Sequence, residues 1–255
     1  MTEHNITLAV GATKVLHTAG QYCDRDIVVT AEKGDGYDNG YNEGLEAGKQ
    51  AEYDRFWDVY QQNGARTHYD GAFGGEGWTT EFFKPKYNIN PTSATYIFRK
   101  SNISGDLVEI CDDLGISMDF SNCTSVMEAF SNAPNITRVG VIDIRKAGAN
   151  ITNMFAFSGL KTIDKVLIAE TNTLTYFPGA MLSLENISFE GVIANSISFS
   201  YSSNLTMASV DSIISCLKDL TGQTAQTITF NATVGGKLTE AQKAAITAKN
   251  WTLVY

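Results

Sequence analysis

Leu-Lys-Thr-Ile at residues 160–163 stands midway between Ile-Thr-Arg-Val at 136–139 and Leu-Glu-Asn-Ile at 184–187, each copy 24 residues from the next. Two columns keep that interval: Ile136, Leu160 and Leu184, and Val139, Ile163 and Ile187. A third, Ile151, Leu174 and Ile197, steps by 23, and a fourth, Phe130, Phe155 and Ala180, by 25. Agreement among columns marks a unit that cannot bury its apolar face alone and closes a core by stacking on its neighbours. The regular units are Ser121–Ala147, Gly148–Thr173 and Leu174–Ser198. In each, the aliphatic pair marks one short strand and a second apolar segment, such as Ile151 to Phe155, marks the opposite wall.

Upstream, the repeat pattern fades in from Tyr96, with a short helix expected over Leu107–Leu114, stopped by Gly115. Residues 65–95 are rich in glycine and aromatic residues but lack periodicity, so an irregular entry cap is expected there. Tyr69, Phe73 and Trp78 have a second reading, an exposed platform on which sugars stack. Before them, residues 34–64 read as a helix. Gly36, Gly40, Gly44 and Gly48 recur every four residues, and Tyr53, Phe56, Trp57 and Tyr60 then share one face. That face either caps the repeats or joins copies of the chain into a homo-oligomer through helix 37–62. Residues 1–33 hold two strand-like runs, Ile6–Val10 and Asp26–Ala31, divided by turn formers Gly11 and Gly20, and read as a small antiparallel β attachment module.

Downstream of Leu205 the period fails. A helix over Met207–Leu220, a strand over Gln226–Phe230, a helix over Thr239–Lys249 with a Thr239/Gln242 capping box, and a final strand over Trp251–Tyr255 read as an exit cap. The expected architecture is an α/β repeat: a leucine-rich-repeat-like solenoid over 96–205, closed by a cap over 206–255, with a small N-terminal β module and a connecting α-helix.

The net charge of −9 argues against a nucleic-acid partner, which would require a basic stripe. No window approaches the apolar length of a membrane span, and the first residues carry no Sec-type signal peptide. Cys23, Cys111, Cys123 and Cys216 form no CxxC pair and read as reduced thiols, with Cys111 and Cys123 the one pair near enough in sequence to suspect. The three histidines, His4, His17 and His68, all precede the repeats, so no metal site, cofactor or Ser-His-Asp set is expected on them. Asp112, Asp113, Asp143 and Asp164 are the acids from which glycoside hydrolysis would have to be built. Their positions near a helix end and near repeat turns favour a structural role, and no catalytic residue is assigned.

Asn153-Met-Phe-Ala-Phe-Ser-Gly-Leu-Lys-Thr-Ile-Asp164 resembles the Met-Phe…Leu-x-x-Leu-Asp signature of BspA-type leucine-rich repeats of gut and oral bacteria. Gly105-Asp-Leu-Val-Glu-Ile-Cys-Asp-Asp-Leu-Gly-Ile116 and Gly20-Gln-Tyr-Cys-Asp-Arg-Asp-Ile-Val-Val-Thr-Ala-Glu32 resemble proteins of phages and prophages of gut bacteria. The resemblance implies a non-enzymatic recognition or adhesion protein on a phage virion or a bacterial cell surface, contacting a cell-surface glycan or protein. It carries no catalytic residues. The lack of a Sec-type signal fits phage assembly. The alternatives are an architectural component that holds neighbouring virion proteins and, from the unpaired acids alone, a glycan-degrading enzyme.

Overall fold

The computed structural model describes residues 6–16, 27–32, 48, 50–52, 54–174 and 176–255, the first two ranges by their backbone. The chain divides into two compact units, Met1–Phe56 and Trp57–Tyr255. In the first, β1 (Ile6–Leu16) pairs antiparallel with β2 (Ile27–Glu32), Leu16 opposite Ile27 and Thr13 opposite Thr30. Gly11 does not divide two strands. It lies within β1, where the register shifts between Gly11 and Ala12, a place in a strand that glycine commonly occupies. Residues 48, 50–52 and 54–56 are helical, and Gln50 Nε2 donates to Asp54 Oδ1 at 3.0 Å.

The second unit is mixed α/β with two parallel sheets. Its backbone is tied segment to segment through a series of phenylalanines. The amide of Phe73 donates to Ile97 O, Phe98 to Ala129 O, Phe130 to Met154 O and Phe155 to Pro178 O, at 2.7, 2.7, 2.8 and 3.2 Å. Their rings form an inward column: Phe73–Phe98 5.4 Å, Phe98–Phe130 5.2 Å, Phe130–Phe155 5.6 Å and Phe155–Phe177 6.0 Å between centroids. Phe189, Phe199 and Phe230 continue it at 6.5, 6.3 and 6.2 Å. All eight rings are buried. Offset and edge-to-face contacts at these separations are the arrangements aromatic quadrupoles favour.

The column begins at Phe73, inside the segment expected to be an irregular cap. Tyr69, Gly71, Phe73 and Gly75 each donate to a carbonyl 24 residues ahead, and the later segments pair in the same alternating way at offsets of 31, 24 and 23. The aromatic column read from sequence also needs correction. Phe177, not Ala180, follows Phe155, whereas Ala180 O accepts from the amide of Phe157.

Around each of the first four inward phenylalanines the chain turns on two left-handed residues four apart. Gly71 and Gly75 flank Phe73, Tyr96 and Lys100 flank Phe98, Glu128 and Asn132 flank Phe130, and Asn153 and Phe157 flank Phe155. Left-handed backbone costs a residue with a Cβ about 1–2 kcal/mol. It is kept here because it turns the chain in a few residues while leaving the ring inside.

The opposite wall is the sheet β3 (Gly105–Asp106), β4 (Ile136–Asp143), β5 (Thr162–Ile168) and β6 (Asn186–Gly191), in that order and parallel. Val139, Ile163 and Ile187 stand directly opposite one another and are buried, as are Ile136, Leu160 and Leu184. The Val139, Ile163 and Ile187 column is thus an inward row of this sheet, while Leu160 and Leu184 are buried two residues before β5 and β6. On the strand face that alternates with this row, Arg138 bridges two strands. Its Nε and Nη2 meet Asp164 at 2.8 Å and its Nη1 meets Asp106 at 3.1 Å. Asp106 also caps helix α1 (Leu107–Asp113), accepting from the amides of Val108 and Glu109. Two glycines permit the closest backbone approaches: a Cβ would lie 1.9 Å from Pro134 O at Gly159 and 1.9 Å from Ile168 O at Gly191.

The sheet ends on a helix. α2 (Met207–Cys216) lies along β6, and the hydroxyls of Ser209 and Ser212 accept from the amides of Ile187 and Phe189, each at 2.9 Å. Two serines at i and i+3 thereby stand where a neighbouring strand's carbonyls would be, which blunts an edge able to recruit another chain. α2 is shorter than its apolar pattern suggests, because Leu217 turns extended and pairs with Ile193. Lys249 then closes α2, its Nζ donating to the carbonyls of Ile214 and Leu217 at 3.0 and 2.8 Å. β7 (Ile197–Phe199), β8 (Gln226–Phe230) and β9 (Trp251–Val254) form the second parallel sheet, which takes in Ile197 of the 23-residue column. A short helix, α3 (Ala232–Gly235), and α4 (Glu240–Ala248) join its last two strands; Thr239 and Gln242 make the expected capping box.

Two substitutions test this account by denaturant unfolding. Phe130→Ala removes the middle of the column and is expected to lose about 3–5 kcal/mol. Ser209→Ala leaves the Ile187 amide without its acceptor and is expected to lose about 1–3 kcal/mol.

Candidate functional site

The aromatic residues singled out from sequence are mostly structural. Tyr69 and Phe73 are fully buried, their rings 5.8 Å apart, and Trp78 is half-buried with its ring edge-on to Phe73 at 5.3 Å. No sugar can stack on Tyr69 or Phe73. Trp57 and Tyr60 join the same cluster. Trp57 is buried, edge-on to Tyr60 at 5.6 Å and to Phe83 at 6.4 Å, and the Tyr60 hydroxyl donates to Ala72 O. Trp57 therefore belongs to the second unit's own core, where it covers the first rung of the column. Phe56 is half-buried at the end of the first unit, and Tyr53 lies outside the described residues.

The exposed aromatic surface lies elsewhere. Phe157, Tyr176 and Tyr201 are 59%, 71% and 58% exposed, and they line one groove of about 720 Å³. Phe157 and Tyr176 occupy left-handed turns, each with φ 57°, and these turns direct the two rings outward while Phe155 and Phe177 beside them face the core. Tyr201 follows β7, between buried Phe199 and buried Ser202, whose hydroxyl donates to Met181 O at 3.0 Å.

Between the rings the lining mixes apolar residues such as Leu174 and Ile197 with uncharged polar ones. Strand alternation in β8 buries Ile228 and Phe230 and turns Thr227 and Thr229 to the groove, and Ser198 stands opposite Thr229 in the pairing of β7 with β8. Among the described residues the side chains of Thr227, Thr229 and Asn153 have no protein hydrogen-bond partner. Glu128, the one charged residue among the described lining residues, is held by Arg99 at 2.8 Å.

The acids considered for hydrolysis are dispersed. Asp112 and Asp113 are exposed at the end of α1, Asp164 is bound by Arg138, and Asp143 ends β4 in the grip of Arg145. Burial works against the charged form of Asp143, but hydrogen bonds from the Arg145 side chain and backbone outweigh it and hold the carboxyl below its ordinary range. A carboxyl kept ionised in this way is a poor proton donor. Among the described cysteines all three are free. Burial, reinforced by nearby aspartates, pushes the Cys111 and Cys123 thiols up to about 11 and about 12, so neither is a nucleophile at neutral pH. Among the described residues no three His, Cys, Asp or Glu side chains gather into a metal-binding group, and no helix is long and apolar enough to cross a membrane.

No protein-family model, curated protein or solved structure matches the chain.

The groove escaped a reading by residue type. Phe-Ala-Phe at 155–157 alternates as a strand would, and period two sends both rings to one side. The left-handed backbone of Phe157 breaks that period.

The Asp143–Arg145 pair carries a pH signature. With its folded pKa depressed, Asp143 contributes stability that is complete above the ordinary carboxylate pKa of about 4 and is lost as pH falls through the folded value. Denaturant midpoints measured from neutral pH downward are expected to stay level and then drop in the acid range. Asp143→Asn is expected to be less stable at neutral pH and to show a shallower acid drop.

Proposed function

We propose that the chain is a non-enzymatic recognition protein that contacts a cell-surface glycan or protein through the groove bounded by Phe157, Tyr176 and Tyr201. The observation that carries this reading is the outward placement of three aromatic side chains over free hydroxyls and an amide, beside a column of phenylalanines buried one upon another. Aromatic residues are over-represented where proteins bind, because they offer large contact area with few rotatable bonds.

In the same reading the second unit is a leucine-rich-repeat-like solenoid of the BspA type. The segment-to-segment amide pairing and the phenylalanine column support it, as does the resemblance of residues 153–164 to that class. The first unit serves for attachment to a phage virion or a bacterial surface, a role supported by the resemblance of residues 20–32 to phage proteins.

Fluorescently labelled full-length protein added to intact gut-bacterial cells is expected to bind saturably and to be displaced by unlabelled protein, with no reducing ends released from the cell polysaccharide. Release of reducing sugar would make it an enzyme. Absence of saturable binding to every strain tried, together with co-purification with virion structural proteins, would assign it to scaffolding.

A further inference from the structure

The groove has a chemical preference, and three observations define it. The first is that its aromatic residues are not required by the fold. The left-handed position of Phe157 is filled in preceding segments by Gly75, Lys100 and Asn132, and Tyr176 holds a left-handed position of its own just before Phe177. The turn thus accepts small, polar or charged residues, yet here it holds exposed rings. Each bears both the conformational cost of left-handed backbone and the cost of apolar area left in water. Costs of this kind persist where a ligand uses the group.

The second is the polar complement. Thr227, Thr229 and Asn153 are half-buried in the groove with side chains that have no hydrogen-bond partner among the described residues. Hydroxyls and an amide offer both donors and acceptors, which matches a ligand whose own groups are hydroxyls.

The third is charge. Among the described residues no lysine, arginine or histidine lines the groove, and the one carboxylate that does is already paired with Arg99. An anionic sugar, a phosphate or an acidic peptide would find no counter-charge there, and a cation would find Glu128 already neutralised. An uncharged ligand with apolar faces for three rings and hydroxyl edges for the floor remains. The volume of about 720 Å³ falls within the range of small-ligand sites.

We infer that the groove binds a neutral oligosaccharide, its sugar faces stacked on Phe157, Tyr176 and Tyr201 and its hydroxyls bonded to Thr227, Thr229 and Asn153. This rests on the recognition reading above and names the ligand class of that site.

The test is titration calorimetry of the full-length chain against neutral oligosaccharides of glucose, mannose and N-acetylglucosamine, with polygalacturonate as the acidic counterpart. At least one neutral series is expected to bind and polygalacturonate is not. Phe157→Ala, Tyr176→Ala and Tyr201→Ala are each expected to weaken binding about tenfold, a loss of the size seen when a contact aromatic is truncated. Leu182→Ala, exposed but outside the groove, is expected to bind as the parent does. Thermal melts of the three groove variants are expected to match the parent, so that lost binding is not lost folding.

Binding by none of the neutral series, unchanged binding by all three variants, or preference for polygalacturonate would overturn the inference. Cell binding separates it from the broader reading. If cells still bind the triple variant, the groove assignment fails and recognition stands. If oligosaccharide binds but no cell does, recognition fails and the groove assignment stands. If periodate-oxidised cells bind normally while protease-treated cells do not, the occupant is a protein and the inference is overturned.

Discussion

The second unit depends on ring-to-ring contact along one line. From Phe73 to Phe230 eight phenylalanines meet in sequence at 5.2–6.5 Å. No single segment of some two dozen residues encloses its own ring, so each segment is stable only because the next covers it. The amide of each early phenylalanine is also a donor to the following segment, which makes hydrogen-bond register and ring placement one constraint. A slip of one residue would carry the ring out of the core.

Such an arrangement has to be stopped at both ends, and the two stops differ in chemistry. At the start Trp57 and Tyr60 cover Phe73. Gln61, fully buried, receives the amides of Lys86 and Tyr87 on its Oε1 at 2.7 and 3.0 Å and donates its Nε2 to Tyr87 O at 2.9 Å. This stop is aromatic packing with one saturated amide. At the far end the backbone is satisfied by the two serine hydroxyls of α2, and α2 is in turn closed by Lys249. That stop is polar, placed where a strand would otherwise continue.

The parallel sheet was legible in the sequence because its rows repeat at one interval and with one residue type: Val139, Ile163 and Ile187 pair in register as their spacing implies. The aromatic wall was less legible. Its segments are 24, 31, 24 and 23 residues apart, so Phe73 and Phe98 fall out of step with Phe130 and Phe155, and Phe177 arrives three residues before the spacing leads one to look. The helix at Met207 was legible from its apolar face and N-cap Thr206, but not its end, since a tertiary pairing of Leu217 with Ile193 overrides the pattern. The groove was not legible at all. For Phe157 and Tyr176 a positive φ turns the ring outward. Asparagine or glycine would have announced a left-handed turn, but phenylalanine and tyrosine do not.

The left-handed turns also separate two inventories that most folds mix. In each of the turns at Phe73, Phe98, Phe130 and Phe155 one phenylalanine faces the core, while the residues on the left-handed corners lie half-buried or exposed and vary in type. Glycine, lysine, asparagine, glutamate, tyrosine and phenylalanine already occupy those corners within this one chain. The outward positions therefore form an alphabet that can be rewritten without editing the scaffold. Diversification at residues 153, 157 and 176 would change what the surface touches while the molecule beneath it stays the same.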